Sequence, residues 1–155
     1  MKSTLLALIS LLFVSCLSDT NSNIDTQPVD YRAQNEKEIT DYIAKNKLIA
    51  KQSQTGLYYI IDEPGTGKQP STTSDVRVAY KGYFTNGNIF DQSDASGISF
   101  NLQQVIKGWT EGITYFKEGG SGVLLVPAHL AYGNGRPGIP AGSVLIFDIK
   151  LLTVN

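Results

Sequence analysis

Apolar residues in this chain recur with two different periods, and the switch between them divides it. Leu5 to Val14 is an apolar run interrupted only by Ser10, with Lys2 in front of it, and residues 17–30 are polar, short-chained and aperiodic. Ile39, Tyr42 and Ile43 then fall on one helical face. This predicts a short helix capped by Asn35, with Glu38 as capping-box partner, that ends near Asn46. From Gly56 the period becomes two. Leu57-Tyr58-Tyr59-Ile60-Ile61 is a dense β-type run closed by Pro64-Gly65-Thr66-Gly67. Val76, Val78 and Tyr80 alternate with Arg77, Ala79 and Lys81, the pattern of a half-buried strand. Asn86-Gly87 predicts a hairpin turn with positive φ at both central residues. Trp109, Ile113 and Phe116 stand at i, i+4 and i+7, so a second short helix with one apolar stripe is expected, stopped by Gly119-Gly120. Val123–Val126 and Val144–Leu152 supply closing strands.

These elements predict an α+β fold: a twisted antiparallel β-sheet wrapped around one short α-helix, preceded by a short N-terminal helix. The length of 155 residues suits one domain with appendages. Four segments are expected: a signal peptide at 1–15, a flexible tether at 16–33, the helix and a linker at 34–54, and the domain at 55–155. The N-terminal helix is too short for a long-helix dimer, so it should pack on its own domain and leave a monomer. Apolar residues at 41% and charged ones at 17% suit a packed soluble core, and 15 glycines with eight tyrosines favour turns and strands. A formal charge of −1 gives no electrostatic case for nucleic acid.

The first apolar run is too short to span a bilayer but fits the core of a signal peptide. It ends at Phe13-Val14-Ser15-Cys16, which resembles the lipobox of a bacterial lipoprotein. That resemblance implies cleavage before Cys16 and acylation of its thiol, with several acyl chains giving stable membrane anchorage where one would be marginal. The expected location is a bacterial membrane, periplasmic or outer-membrane associated.

Most reaction chemistries lack their residues. With one cysteine and one histidine, the chain can form neither an internal disulfide nor a Cys- or His-based metal site, and no Ser-His dyad. His129 reads as a surface or strand-end residue. Gly65-Thr66-Gly67-Lys68 ends like a phosphate loop, but Gln69 replaces the hydroxyl residue that would meet magnesium. Gly119-Gly120-Ser121-Gly122-Val123 lacks the final glycine of a nucleophile elbow. No metal or cofactor is expected. What remains is a set of aromatics with one carboxylate.

Val78-Ala79-Tyr80-Lys81-Gly82, Phe90-Asp91, Val105-Ile106-Lys107-Gly108-Trp109, Ala131-Tyr132-Gly133, Pro137-Gly138-Ile139-Pro140 and Leu145-Ile146-Phe147-Asp148 follow one another in that order. In order and spacing they resemble the FKBP-type peptidyl-prolyl cis-trans isomerases over roughly residues 55–155. The resemblance implies a prolyl isomerase acting on proline-containing polypeptide clients that fold outside the cytoplasm, with macrolides as possible ligands. Catalytic roles would fall to Asp91, Tyr132, Phe90 and Trp109, and substrate contacts to Tyr80, Val105, Ile106, Ile139, Phe147 and Phe100. Trp109 would be the floor under the proline ring, and Phe90, Tyr80 and Phe147 the walls. The Ile106 N–H and the Tyr132 hydroxyl would each hold a carbonyl, and Asp91 would face the twisted amide. Relatives with the fullest pocket carry an Arg soon after the Phe-Asp pair; Asp94-Ala95-Ser96-Gly97 stands there instead. The same pocket would also serve a module that grips proline segments or assists folding with negligible turnover.

Overall fold

The computed structural model describes residues 29–155. The signal run, Cys16 and most of the tether lie outside the described residues. The first helix, α1 (Arg32–Lys45), is followed by β1 (Lys51–Gln52), β2 (Tyr58–Glu63), β3 (Asp75–Tyr83), β4 (Ile89–Gln92) and β5 (Ile98–Asn101). The short helix α2 (Lys107–Gly112) runs on into a 3-10 turn at Ile113–Tyr115, and β6 (Ser121–Val126) and β7 (Leu145–Val154) complete the chain. The strands form one antiparallel seven-stranded sheet in the order β1-β2-β6-β7-β3-β4, with β5 also paired to β3. This is the predicted α+β architecture. The long strand β3 carries two partners on one edge: β5 along Asp75–Val78 and β4 along Lys81–Tyr83.

Alternation along the strands sorts side chains onto two buried faces. Leu124, Val126, Leu145, Phe147 and Ile149 join Trp109, Ile113 and Phe116 in the main core under α2. Their strand neighbours Leu125 and Ile146 point the other way and pack with Ile39, Tyr42 and Ile43 of α1. Residues on β7 therefore read as a nearly continuous apolar run because that strand is covered on both sides. Two glycines bring α2 unusually close to the sheet. A Cβ at Gly108 would stand 2.4 Å from Val126 Cγ1, and one at Gly112 2.7 Å from Leu124 Cδ1. Gly108 and Gly112 lie one turn apart, so they form a smooth strip that sets the height of Trp109 above the sheet.

Two local expectations are corrected. Asn35 does not cap α1: the helix starts at Arg32 with Tyr31 at its N-cap and no side-chain cap. Asn35 is instead fully buried, donating through Nδ2 to the Gly142 carbonyl and accepting from the Ala128 N–H through Oδ1, both at 2.8 Å. Glu38 accepts from the Thr85 hydroxyl rather than turning back on its own helix. At Asn86-Gly87 only Gly87 has positive φ. Bonds from Gly87 N–H to the Phe84 carbonyl and from Phe84 N–H to the Asn88 carbonyl close a three-residue loop, not a two-residue one.

Candidate functional site

A cavity of about 770 Å³ opens beside α2, and Trp109, 3% exposed, is its floor. Tyr80, Phe100 and Phe147 meet the indole edge-on, with ring centroids at 5.0, 5.4 and 5.3 Å and interplanar angles of 86, 86 and 78°. Phe90 stands perpendicular to Phe147 at 5.6 Å. Edge-to-face pairs of this kind are favourable beyond their buried area, so the rings brace one another as a box. Strand alternation explains why these rings converge. Tyr80 follows Val76 and Val78 on β3, and Phe147 lies between Leu145 and Ile149 on β7, all on the α2 face.

Phe90 and Asp91 raise a geometric question, because consecutive residues of a regular strand face opposite ways. A β-bulge answers it. Gly82 pairs with Asp91 but Tyr83 pairs with Ile89, so Phe90 is the extra residue on β4. Such bulges re-aim a side chain next to functional sites. Both the aromatic and the acid thereby line the cavity.

Asp91 is exposed, and the Tyr80 hydroxyl donates to its Oδ2 at 2.8 Å. Burial, and then the hydrogen bond and charge of Asp91, push the Tyr80 phenol up to about 12. Tyr80 is accordingly a firm donor at neutral pH, and it positions the carboxylate from the adjacent strand. The β4–β5 loop reaches this pair only through the Tyr80 backbone, whose N–H donates to Ser93 Oγ and whose carbonyl accepts from the Ser93 N–H, both at 3.0 Å. Asp94 folds that loop on itself, accepting from the Ser96 hydroxyl and N–H and from the Gly97 N–H.

The remaining polar groups come from loops and from the start of α2. Ile106 is the N-cap of α2 with extended backbone, and its N–H pairs with no acceptor among the described residues. Tyr132 is half-buried, and the Arg136 guanidinium lies 4.2 Å over its ring. Among the described residues no group of three or more His, Cys, Asp or Glu could hold a metal ion. The site offers apolar surface, two hydroxyls, one carboxylate and a free N–H, which suits non-covalent binding of an amide.

The structure brings nine of the ten predicted pocket residues together: Tyr80, Phe90, Asp91, Phe100, Val105, Ile106, Trp109, Tyr132 and Phe147 all line the cavity. Ile139 does not. It is 3% exposed and packs in the core behind them. Lys107, His129 and Arg136 also line the cavity and were not predicted. His129 sits half-buried in a 3-10 turn, with Nε2 at 2.9 Å from the Thr55 carbonyl, rather than free at a strand end. Lys107 and Arg136 each adjoin a motif in sequence, but nothing local marks an exposed cation as part of a site.

Residues 66–152 match the family of FKBP-type peptidyl-prolyl cis-trans isomerases. Over 141 residues the chain is 42% identical to the FKBP-type peptidyl-prolyl cis-trans isomerase FkpA of Escherichia coli K12, covering 89% of this chain and 52% of that protein. FkpA of Aeromonas hydrophila is 40% identical over 127 residues, covering 79% and 47%. The chain thus spans about half the length of the curated relatives it matches. The crystal structure of the E. coli protein superposes with a TM-score of 0.72 at 43% identity, covering 80% of this chain and 61% of that one. A peptidyl-prolyl cis-trans isomerase structure from Pseudomonas syringae pv. tomato gives 0.69 at 31% identity, covering 82% and 97%.

Proposed function

Because the chain belongs to the FKBP-type peptidyl-prolyl cis-trans isomerase family, we propose that it accelerates rotation about X-Pro bonds in polypeptide clients. The observation that carries this reading is the aromatic box around Trp109, with one carboxylate held at its edge by Tyr80. The barrier to this rotation is about 18–20 kcal/mol because the C–N bond has partial double-bond character. Twisting the bond breaks that resonance, so the transition state is less dipolar than the planar amide. A dry apolar pocket therefore favours the twisted form over the planar one, and differential binding of this kind needs no nucleophile. Every tenfold gain in rate requires only about 1.4 kcal/mol.

The roles follow from the same physics. Trp109 carries the proline ring, and Phe90, Tyr80, Phe100 and Phe147 exclude water around it. The Ile106 N–H and the Tyr132 hydroxyl hold the carbonyls that flank the rotating bond, and Val105 packs beside them. Asp91 favours the twisted form, in which the carbonyl carbon no longer receives electron density from nitrogen. Ile139 contributes by anchoring the loop that carries the rim. The signal-like run and Cys16 support a protein held to a bacterial membrane by acyl chains and acting on clients outside the cytoplasm. The intact floor and walls support macrolide binding, and the short α1 packed on its own sheet supports a monomer.

The test is the cis-to-trans relaxation of Ala-Pro peptides by the full chain in mild detergent, with and without rapamycin. Acceleration proportional to enzyme and abolished by the macrolide is expected. Asp91→Ala should lower kcat/KM by about tenfold, or about 1.4 kcal/mol. It should leave unfolding almost unchanged, since Asp91 is exposed. A folded protein that binds these peptides but leaves their relaxation unchanged would refute the enzyme reading and leave a proline-binding module.

A further inference from the structure

We propose that the rim of this pocket selects proline segments carrying an acidic side chain next to the proline, with Arg136 and Lys107 as the specificity-determining residues. The inference rests on the isomerase reading and adds a substrate class to it. Three residues with fully charged side chains stand in the cavity lining: Asp91, Lys107 and Arg136. The carboxylate already has the Tyr80 hydroxyl at 2.8 Å. Neither cation has a carboxylate within 4.0 Å among the described residues, where the ion pairs are Arg32–Asp30, Lys37–Asp41 and Lys81–Asp148. The rim therefore presents two cations whose counter-charge is missing, directly beside the surface where the proline ring would lie.

Arg136 is also held in place to receive one. Its N–H donates to the Ile139 carbonyl at 2.9 Å and its carbonyl accepts from the Ile139 N–H at 2.8 Å. Between them Pro137-Gly138, with Gly138 at φ +83°, makes the tight turn that a Pro-Gly pair favours. The 3% exposed Ile139 fixes this small hairpin to the core. The guanidinium then lies 4.2 Å over the Tyr132 ring. The guanidinium makes no side-chain hydrogen bond or ion pair among the described residues, so its N–H groups are available to a planar carboxylate. Its charge also reaches the pocket interior. Burial and Asp91 push the Tyr80 phenol up, and Arg136 opposes them. A rim already ordered in this way loses little freedom when it binds an acid.

The experiment compares X-Pro-Y peptides with Glu, Gln or Lys at X, or at Y, measuring kcat/KM at about 20 mM and about 500 mM salt. An exposed charge contact shifts binding by up to about fivefold, and replacing Lys by Glu reverses the sign at two cations, so a Glu/Lys ratio of about ten is expected at low salt on at least one flank. The ratio should shrink towards one at high salt, and in the Arg136→Gln/Lys107→Gln double variant. A ratio near one at both flanks, or one that survives the double variant, would overturn the proposal. If Gln peptides are accelerated with no charge preference, the isomerase reading stands and the rim selection fails. If no peptide is accelerated, the same ratio read in peptide affinity, from quenching of Trp109 fluorescence, decides the rim selection by itself.

Discussion

Gly82→Ala tests whether the walls of the pocket are set by a missing side chain. Gly82 lies within β3, opposite Asp91 on one neighbour and Phe147 on the other. A Cβ there would stand 2.8 Å from Phe90 Cζ, 2.9 Å from Phe90 Cε2 and 3.0 Å from Phe147 Cε1. Carbon atoms rest comfortably at about 3.5–4.0 Å, so the rings must retreat by roughly 0.5–1 Å. Phe147 is 5% exposed and wedged against Trp109, which leaves half-buried Phe90 as the ring that moves. Overpacking costs about 1–3 kcal/mol, and the stiffer unfolded chain of the alanine variant offsets about 0.4–1 kcal/mol of it. A net loss of about 1–2 kcal/mol follows. A wall displaced by this much should lower kcat/KM by tenfold to about a hundredfold. Urea unfolding followed by fluorescence of Trp109, the only tryptophan, and Ala-Pro isomerisation on the same preparation measure both effects. A folded variant with native kcat/KM and native Trp109 emission would refute the reasoning, because the rings would then not depend on the gap at Gly82.

Asn35→Ala should leave a buried acceptor at Gly142 and a buried donor at Ala128 unpaired, at about 1–3 kcal/mol each. Calorimetry should show Tm lowered by about 10 °C or more, and a shift under about 3 °C would contradict the clamp between α1 and the loops around it. High pH should destabilise the fold in a defined window. Burial, seconded by bonds to Glu36, Asp91 and Glu111, pushes Tyr58, Tyr80 and Tyr115 up to about 12, and Tyr83 moves further in the same direction beside Asp148. Unfolded tyrosines ionise near pH 10, so the unfolded chain binds fewer protons above that value. Stability should be intact below about pH 10 and fall as pH rises towards about 12; a urea midpoint that stays flat from about pH 9 to 11.5 would contradict these environments.

The strands and the second helix were legible in the sequence because half-burial imposes a local period, and that period survives without knowledge of what covers the buried face. Nine of the ten predicted pocket residues converge because the family motifs fix their strands, and the sheet brings the segments around residues 80, 91, 106, 132 and 147 together. What failed had non-local causes. Asn35 has good capping chemistry, yet its amide is more valuable bridging Gly142 and Ala128, and α1 begins one turn earlier without a side-chain cap. Asn86 could adopt positive φ, but the loop widens to three residues and asks that only of Gly87. Ile139, which the motif assigns to substrate, is buried behind the cavity lining and anchors the hairpin that displays Arg136. An exposed cation such as Arg136 or Lys107 becomes notable as part of a site only when its missing partner is seen.

The absent Arg of the β4–β5 loop is best understood through the bulge. In a regular strand, Phe90 and Asp91 could not both face Trp109, and the acid would need a residue from elsewhere to aim it. The extra residue on β4 puts both on the cavity side, and the pairing of Gly82 with Asp91 sets the carboxylate within reach of Tyr80, two residues along β3. The position of Asp91 is thus fixed by sheet register and one phenol, with Ser93 at the start of the loop tying down the Tyr80 backbone. Register on a strand with one buried face is strongly specified, because a slip of one residue would turn every side chain over. The β4–β5 loop is then free to close on Asp94 without disturbing the acid. Rim and box consequently differ in what a substitution there perturbs. Changes at Gly82, Phe90 or Tyr80 alter the box itself and must couple turnover to stability. Changes at Arg136 or Lys107 remove exposed side chains, Arg136 also leaving the Tyr132 ring it covers, and should alter chiefly which proline segments enter.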